Sequence, residues 1–170
     1  MPNNIIIKGP SGIGKTTLIK RLLKDLTPLL VRGFYKEPII EYNILKGFRI
    51  ITLDLKWQIL AHNDIEGPDR INDTGVNVAG FEQLVLPHLS LFAGTELFII
   101  DEIGRMECLS FKFCQQIKKI FDSNIPLIAT VNNDQLSYIY DLVKPDDISI
   151  IPITKKNRNT LWKDILLKIG

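Results

Sequence analysis

The stretch KGPSGIGKTT, Lys8 to Thr17, follows three isoleucines and precedes a run of leucines at helical spacing. Gly9, Gly14, Lys15 and Thr16 satisfy the pattern G-x-x-x-x-G-K-[ST]. The mechanical reading of that pattern is a P-loop, a turn of bare backbone that closes round an anion. Glycine, having no Cβ, reaches the positive φ values such a turn needs, and successive N–H groups then point inward as a nest. The helix opening near Lys15 adds the positive end of its dipole. Lys15 would reach the outer phosphates of a nucleotide, and the Thr16 hydroxyl would bind Mg²⁺. The bland alternative is a glycine-rich strand-to-helix turn that holds nothing. The flanks favour the first reading. Ile5–Ile7 is a buried-strand pattern, and Leu18, Ile19, Leu22, Leu23 and Leu26 share one helical face with Lys20, Arg21 and Lys24 on the polar side.

Beyond the loop the pattern alternates strand and helix. Leu29–Phe34 reads as a strand, followed by a β-rich insert over residues 36–63. Within it, Phe48–Leu53 and Trp57–Leu60 flank Asp54-Leu55-Lys56 as an antiparallel hairpin. Residues 63–75 carry glycine, proline and few large apolar side chains, so a surface loop is expected. Phe81, Leu84, Val85, His88, Leu89 and Phe92 mark a helix face that Pro87 should kink or end. Leu97–Ile100 and Pro126–Val131 read as buried parallel strands, with a helix stripe at Phe113, Cys114, Ile117, Ile120 and Phe121 between them. A short helix at Asp134–Val143, a last strand at Asp147–Ile153 and an amphipathic helix over Leu161, Trp162, Ile165, Leu166 and Ile169 complete the chain. This alternation predicts an α/β fold in three layers, a mostly parallel central sheet extended by an antiparallel hairpin, with helices on both faces. Ligands on such sheets sit beyond the carboxyl ends of the strands.

A second strand end carries chemistry. In LFIIDEIGRM four apolar residues lead straight into Asp101 and Glu102. Asp101 would hold Mg²⁺ opposite Thr16, in the manner of a Walker-B acid. Period-two alternation turns Asp101 and Glu102 to opposite faces if the strand continues; a bend would bring both to the site. Glu102 beside the metal acid would polarise a water for attack on a γ-phosphate, or else only orient a neighbour or cap a helix. Arg105 is either a cation acting in cis on the phosphates or a solvated surface charge.

At 170 residues, 45% of them hydrophobic, the chain suits one domain spanning residues 1–170 with a proper core. The net charge of +2 comes from scattered basic residues, so nothing supports a nucleic-acid partner. No apolar run reaches membrane-spanning length, and the start lacks the pattern of a signal peptide. Cys108 and Cys114, six residues apart with no histidine near, suit free thiols in a reducing compartment rather than zinc. A cytoplasmic protein is expected; the sequence is silent on oligomeric state, and a monomer is favoured. His62 and His88 stand alone and read as packed or surface histidines.

Together, GPSGIGKTT, GFRI, GVNVAGFE and FIIDEIGRM resemble the thermophilic-type P-loop nucleoside-triphosphatases, from the first strand to the last helix. The resemblance implies a P-loop NTPase fold, similar to nucleotide kinases and RecA-like ATPases, and a Mg²⁺-dependent enzyme hydrolysing ATP, GTP and other nucleoside triphosphates. It assigns nucleotide binding to Gly9, Pro10, Ser11, Gly12, Ile13, Gly14, Lys15, Thr16 and Thr17, and to Asp101, Glu102, Ile103, Gly104 and Arg105. Asn157 and Arg158, in TKKNRNT, match an Asn-Arg element near the base; read plainly, they precede a helix that Asn159 would cap. The chain departs from the family pattern at GFYKEPII, where Lys36 stands for a threonine and Pro38 for a second acid, leaving Glu37 as the candidate acid. Arg105 stands where lysine is common.

Two rivals remain at this level. A nucleotide or nucleoside kinase would need an arginine-bearing lid, and residues 63–75 hold only Arg70. A slow nucleotide-dependent switch would use the hairpin around Arg49–Trp57 as a docking surface, although that hairpin reads equally as a structural extension of the sheet. Phe34, Tyr35 and Trp162 are of a type to stack on a base, and equally of a type to fill a core.

Overall fold

The computed structural model describes residues 4–170. The described strands form one nine-stranded sheet. Its parallel part runs, in spatial order, β2 (Val31–Glu41), β7 (Leu97–Ile100), β8 (Leu127–Val131), β1 (Asn4–Lys8) and β9 (Ile148–Pro152). Beyond β2 the sheet continues antiparallel through β3 (Ile44–Thr52), β4 (Trp57–His62), β6 (Thr74–Val76) and β5 (Arg70–Ile71).

Strand alternation builds the layers. Ile5 and Ile7 enter one apolar cluster and Ile6 the other; Leu97 and Ile99 separate from Phe98 and Ile100 in the same way. Strands apolar at every position therefore feed cores on both faces. Helices α1 (Lys15–Asp25) and α5 (Leu161–Ile169) cover one face through Leu18, Ile19, Leu22, Leu161 and Ile165. Helices α2 (Val78–Val85), α3 (Phe111–Phe121) and α4 (Leu136–Tyr140) cover the other. At its centre Phe34 meets Phe81 edge-on at 5.8 Å and Phe113 at 6.1 Å, each ring contributing about 1.5–3 kcal/mol by burial. Asn77 caps α2 on the Gly80 N–H, and Ser110 caps α3 on that of Phe113. None of the described helices is long and apolar enough to cross a membrane.

Several boundaries differ from the sequence expectation. The strand expected at Leu29–Phe34 begins at Val31 and runs to Glu41, because antiparallel pairing with β3 carries it on past its parallel partner. The expected surface loop at 63–75 contains β5 and the start of β6, and β6 bonds to Ala61 and His62 at the sheet margin. Helix α2 gives way at Leu86 to a short 3-10 turn holding Pro87. Thr160, not Asn159, occupies the cap position of α5, without a side-chain cap bond. Phe34 is core and unavailable to a base, while Trp162 lies under Arg21 at 4.4 Å.

Register sets the carboxyl edge. Lys8 pairs with Val131 and Ile100 with Ala129, so the chain leaves β1, β7 and β8 side by side. β2 pairs Phe34 with Ile100 and then runs on, carrying Lys36 over the end of β7. Gly33 makes the close approach possible. Its φ is +132°, and a Cβ built there would lie 1.8 Å from the Ile99 carbonyl oxygen. Gly33→Ala should force β2 away from β7 and cost more than about 3 kcal/mol of stability. Urea and thermal melts check it; a near-parental melt would show that the strands can part at little cost.

Candidate active site

The loop between β1 and α1 is anchored at both ends. The Gly9 N–H donates to the Val131 carbonyl, and the Leu18 N–H to that of Gly14, which caps α1 in the left-handed region. Lys15 turns back into the loop. Its Nζ donates to the carbonyls of Gly9 (2.9 Å) and Pro10 (3.0 Å) and to Asn132 Oδ1 (2.6 Å). Burial lowers the pKa of this ammonium against the opposing pull of Glu102 and Asp101, with Lys36 adding to the lowering.

β7 ends at Ile100 and the chain bends at Asp101, so strand alternation no longer separates the two acids. Both line one cavity with the loop. Asp101 accepts from Thr16 Oγ1 and from Thr130 Oγ1, each at 2.5 Å. Burial holds its pKa above the ordinary range although both hydroxyls oppose the shift. Its backbone N–H donates to the Phe34 carbonyl, which ties the acid to β2.

Glu102 Oε1 accepts from Lys36 Nζ at 2.9 Å and from Asn132 Nδ2 at 3.3 Å. Asn132 thereby bridges the loop lysine and the second carboxylate. Lys36 Nζ also donates to Glu107 Oε1 at 2.8 Å, and Glu107 is fully buried in a 3-10 turn at Glu107–Leu109. Burial alone would lower the Lys36 pKa; Glu107 and Glu102 outweigh it and hold the ammonium above its usual value. Burial raises Glu107, partly offset by Lys36.

The cavity measures about 360 Å³. Ser11, Gly12, Gly14, Lys15, Thr16 and Thr17 line it from the loop and the start of α1, Lys36, Pro38, Leu45 and Phe48 from β2 and β3, and Asp101, Glu102 and Asn132 from the segments that follow β7 and β8. Ile13 points into the core and Ile103 is buried behind the site. Gly104 packs so closely that a Cβ there would meet Gln135 Oε1 at 2.6 Å. Arg105 is exposed and outside the cavity; its backbone N–H, not its side chain, is held, by Gln135. Arg158 lies against the loop, reaching the Ile13 carbonyl at 3.5 Å. Asn157 spends both ends of its amide on its own turn, accepting from the Thr154 N–H and donating to the Pro152 carbonyl. Glu37 pairs with Lys20 and Arg49 outside the cavity. Arg70 donates to the carbonyls of Ile65 and Asp73.

Sequence reasoning missed Lys36, Asn132, Glu107 and Thr130. A polar residue directly after a buried strand is the signal that marks Asp101, and Asn132 carries the same signal after β8. Glu107 shows none.

A family model described as NTPase matches residues 4–166. The chain is 40% identical over 163 residues to the nucleoside-triphosphatase THEP1 of Thermotoga maritima, covering 95% of this chain and 92% of that one. It is 30% identical over 182 residues to the human cancer-related nucleoside-triphosphatase, covering 98% and 96%. The crystal structure of THEP1 from Aquifex aeolicus superposes with a TM-score of 0.88 at 32% identity, over 98% of this chain and 99% of that one.

Asn132→Ala removes both halves of the Lys15–Glu102 bridge. It should cost about 1–3 kcal/mol of stability, as expected for hydrogen bonds to charged groups. Urea denaturation checks this; an unchanged midpoint would mean that solvent replaces the amide without loss.

Proposed function

The chain belongs to the NTPase family, and on that premise we propose that it hydrolyses nucleoside triphosphates, ATP and GTP among them, to diphosphate and phosphate in a Mg²⁺-dependent reaction. The observation that carries this reading is the bridge through Asn132. It brings a second carboxylate, Glu102, to the same cavity as the loop lysine. A site that only holds a nucleotide has no use for that carboxylate.

The loop N–H groups and Lys15 would neutralise the triphosphate tail, Lys15 exchanging its carbonyl partners for phosphate oxygens. Glu102 Oε1 is committed to Lys36 and Asn132, whereas Oε2 takes no hydrogen bond from the described residues. Oε2 is thus the oxygen to accept a proton from water as that water attacks the γ-phosphorus in line. The bond to the β–γ bridging oxygen breaks, and the diphosphate leaves with that oxygen.

Thr16 and Asp101 fit a hard divalent cation. Both are oxygen donors, they touch, and Mg²⁺ typically takes one or two carboxylates plus substrate phosphates. Asp101 is buried, and among the described residues no cation pairs with it. When bound there, Mg²⁺ would supply positive charge to the bridging and terminal phosphate oxygens. The expected setting is a cytoplasmic monomer of one domain.

Glu102→Gln should bind nucleotide near-normally and turn over at least about 100-fold more slowly. Lys15→Ala should weaken binding about 10- to 100-fold as well. Phosphate release from a panel of nucleoside triphosphates, with and without Mg²⁺, measures both. Parental turnover by Glu102→Gln would remove Glu102 from the chemistry. New diphosphate formed from added monophosphates would make the chain a kinase.

A further inference from the structure

Arg105, the cation beside the acid pair in sequence, stands outside the cavity, whereas Lys36 stands inside it. We propose that Lys36 is a positioning residue for hydrolysis: anchored by Glu107, its ammonium fixes the Glu102 carboxylate so that one oxygen is held and the other is free for water. This rests on the reading of Glu102 as the group that receives the proton from water.

The geometry is that of a relay with one immovable end. Glu107 is wholly buried, and its Oε1 holds Lys36 Nζ at 2.8 Å. The same Nζ reaches Glu102 Oε1 at 2.9 Å. With 12% of its side chain exposed, Lys36 has little room to swing out, and its Nζ stands 5.1 Å from the centre of the Phe48 ring. Two of the three ammonium donors are committed, one to each carboxylate. Lys36 reaches this place because β2 runs on past the end of β7; the alternation of the strand sends Glu37 to Lys20 and Arg49 instead. Lys36, one of the positions at which the chain departs from the pattern it resembles, thus becomes the clamp on Glu102.

The test measures kcat, KM and the Kd of a fluorescent non-hydrolysable triphosphate. Lys36→Met alone strands a buried Glu107, so the working variant is the double substitution Lys36→Met with Glu107→Gln. Lost aim of a reacting group typically slows turnover by up to about 100-fold. The double variant should accordingly lose about 10- to 100-fold in kcat, with KM and Kd within about threefold of parental values. In a Glu102→Gln background the same pair should remove less than about threefold more, because residues acting as a unit are not additive. Glu107→Gln alone, which keeps an acceptor for Lys36, should show the same split at smaller size. This variant decides the matter if the double one does not melt cooperatively. The proposal is overturned by undiminished kcat in these variants, by a Kd that rises in step with the loss, or by an equal loss in the Glu102→Gln background. Parental turnover by Glu102→Gln alone instead overturns the underlying reading of that residue.

Discussion

Five charged groups meet at the carboxyl edge of the sheet, and the rest of the site depends on how they are paired. Lys15, Asp101, Glu102 and Glu107 are buried and Lys36 nearly so. Formally they sum to one negative charge. Charges taken from water are costly unless paired and hydrogen-bonded, and removing one partner of a buried pair typically costs about 3–5 kcal/mol. Each group here has at least one hydrogen-bonding partner, although Glu107 Oε2 is buried without one. Lys15 leans on two loop carbonyls and Asn132, Asp101 on two threonine hydroxyls, and both glutamates on Lys36. Asp101 alone takes its side-chain hydrogen bonds only from neutral donors, with Lys36 acting on it at longer range, which is the physical reason for giving it the cation in the proposed reaction.

That pairing is possible because strand register decides which residues share the edge. β1, β8 and β7 end together, and β2 continues beyond them under its antiparallel partner. The antiparallel extension therefore does more than widen the sheet. It holds Lys36 over the end of β7 and brings Pro38, Leu45 and Phe48 into the lining of the cavity.

The sequence was most readable where one local pattern carried the signal. Ile5–Ile7 and Leu97–Ile100 are apolar at every position, and such strands are buried on both faces. The glycine–lysine–threonine spacing and the Asp101-Glu102 pair are local motifs, and both reach the cavity. Lys36, Asn132 and Glu107 were hidden because three separate segments supply them, and only register and a 3-10 turn unite them. Arg105 was drawn to the site by its place after the acid pair and by the family resemblance, while its side chain stands outside the cavity. The turn that buries Glu107 leaves Arg105 exposed. The short strands β5 and β6 were illegible for a related reason: β6 pairs with the margin of β4 and β5 with β6, and neither shows an alternation of its own.

In the proposed reaction this cavity delivers water, and no other acceptor, to the γ-phosphorus. A single turnover in water enriched in ¹⁸O, with mass analysis of both products, decides between water and any other acceptor. Water attack at that phosphorus leaves one solvent oxygen in each released phosphate and none in the diphosphate. Label in the diphosphate, or a phosphoryl group recovered on another hydroxyl, would rule it out.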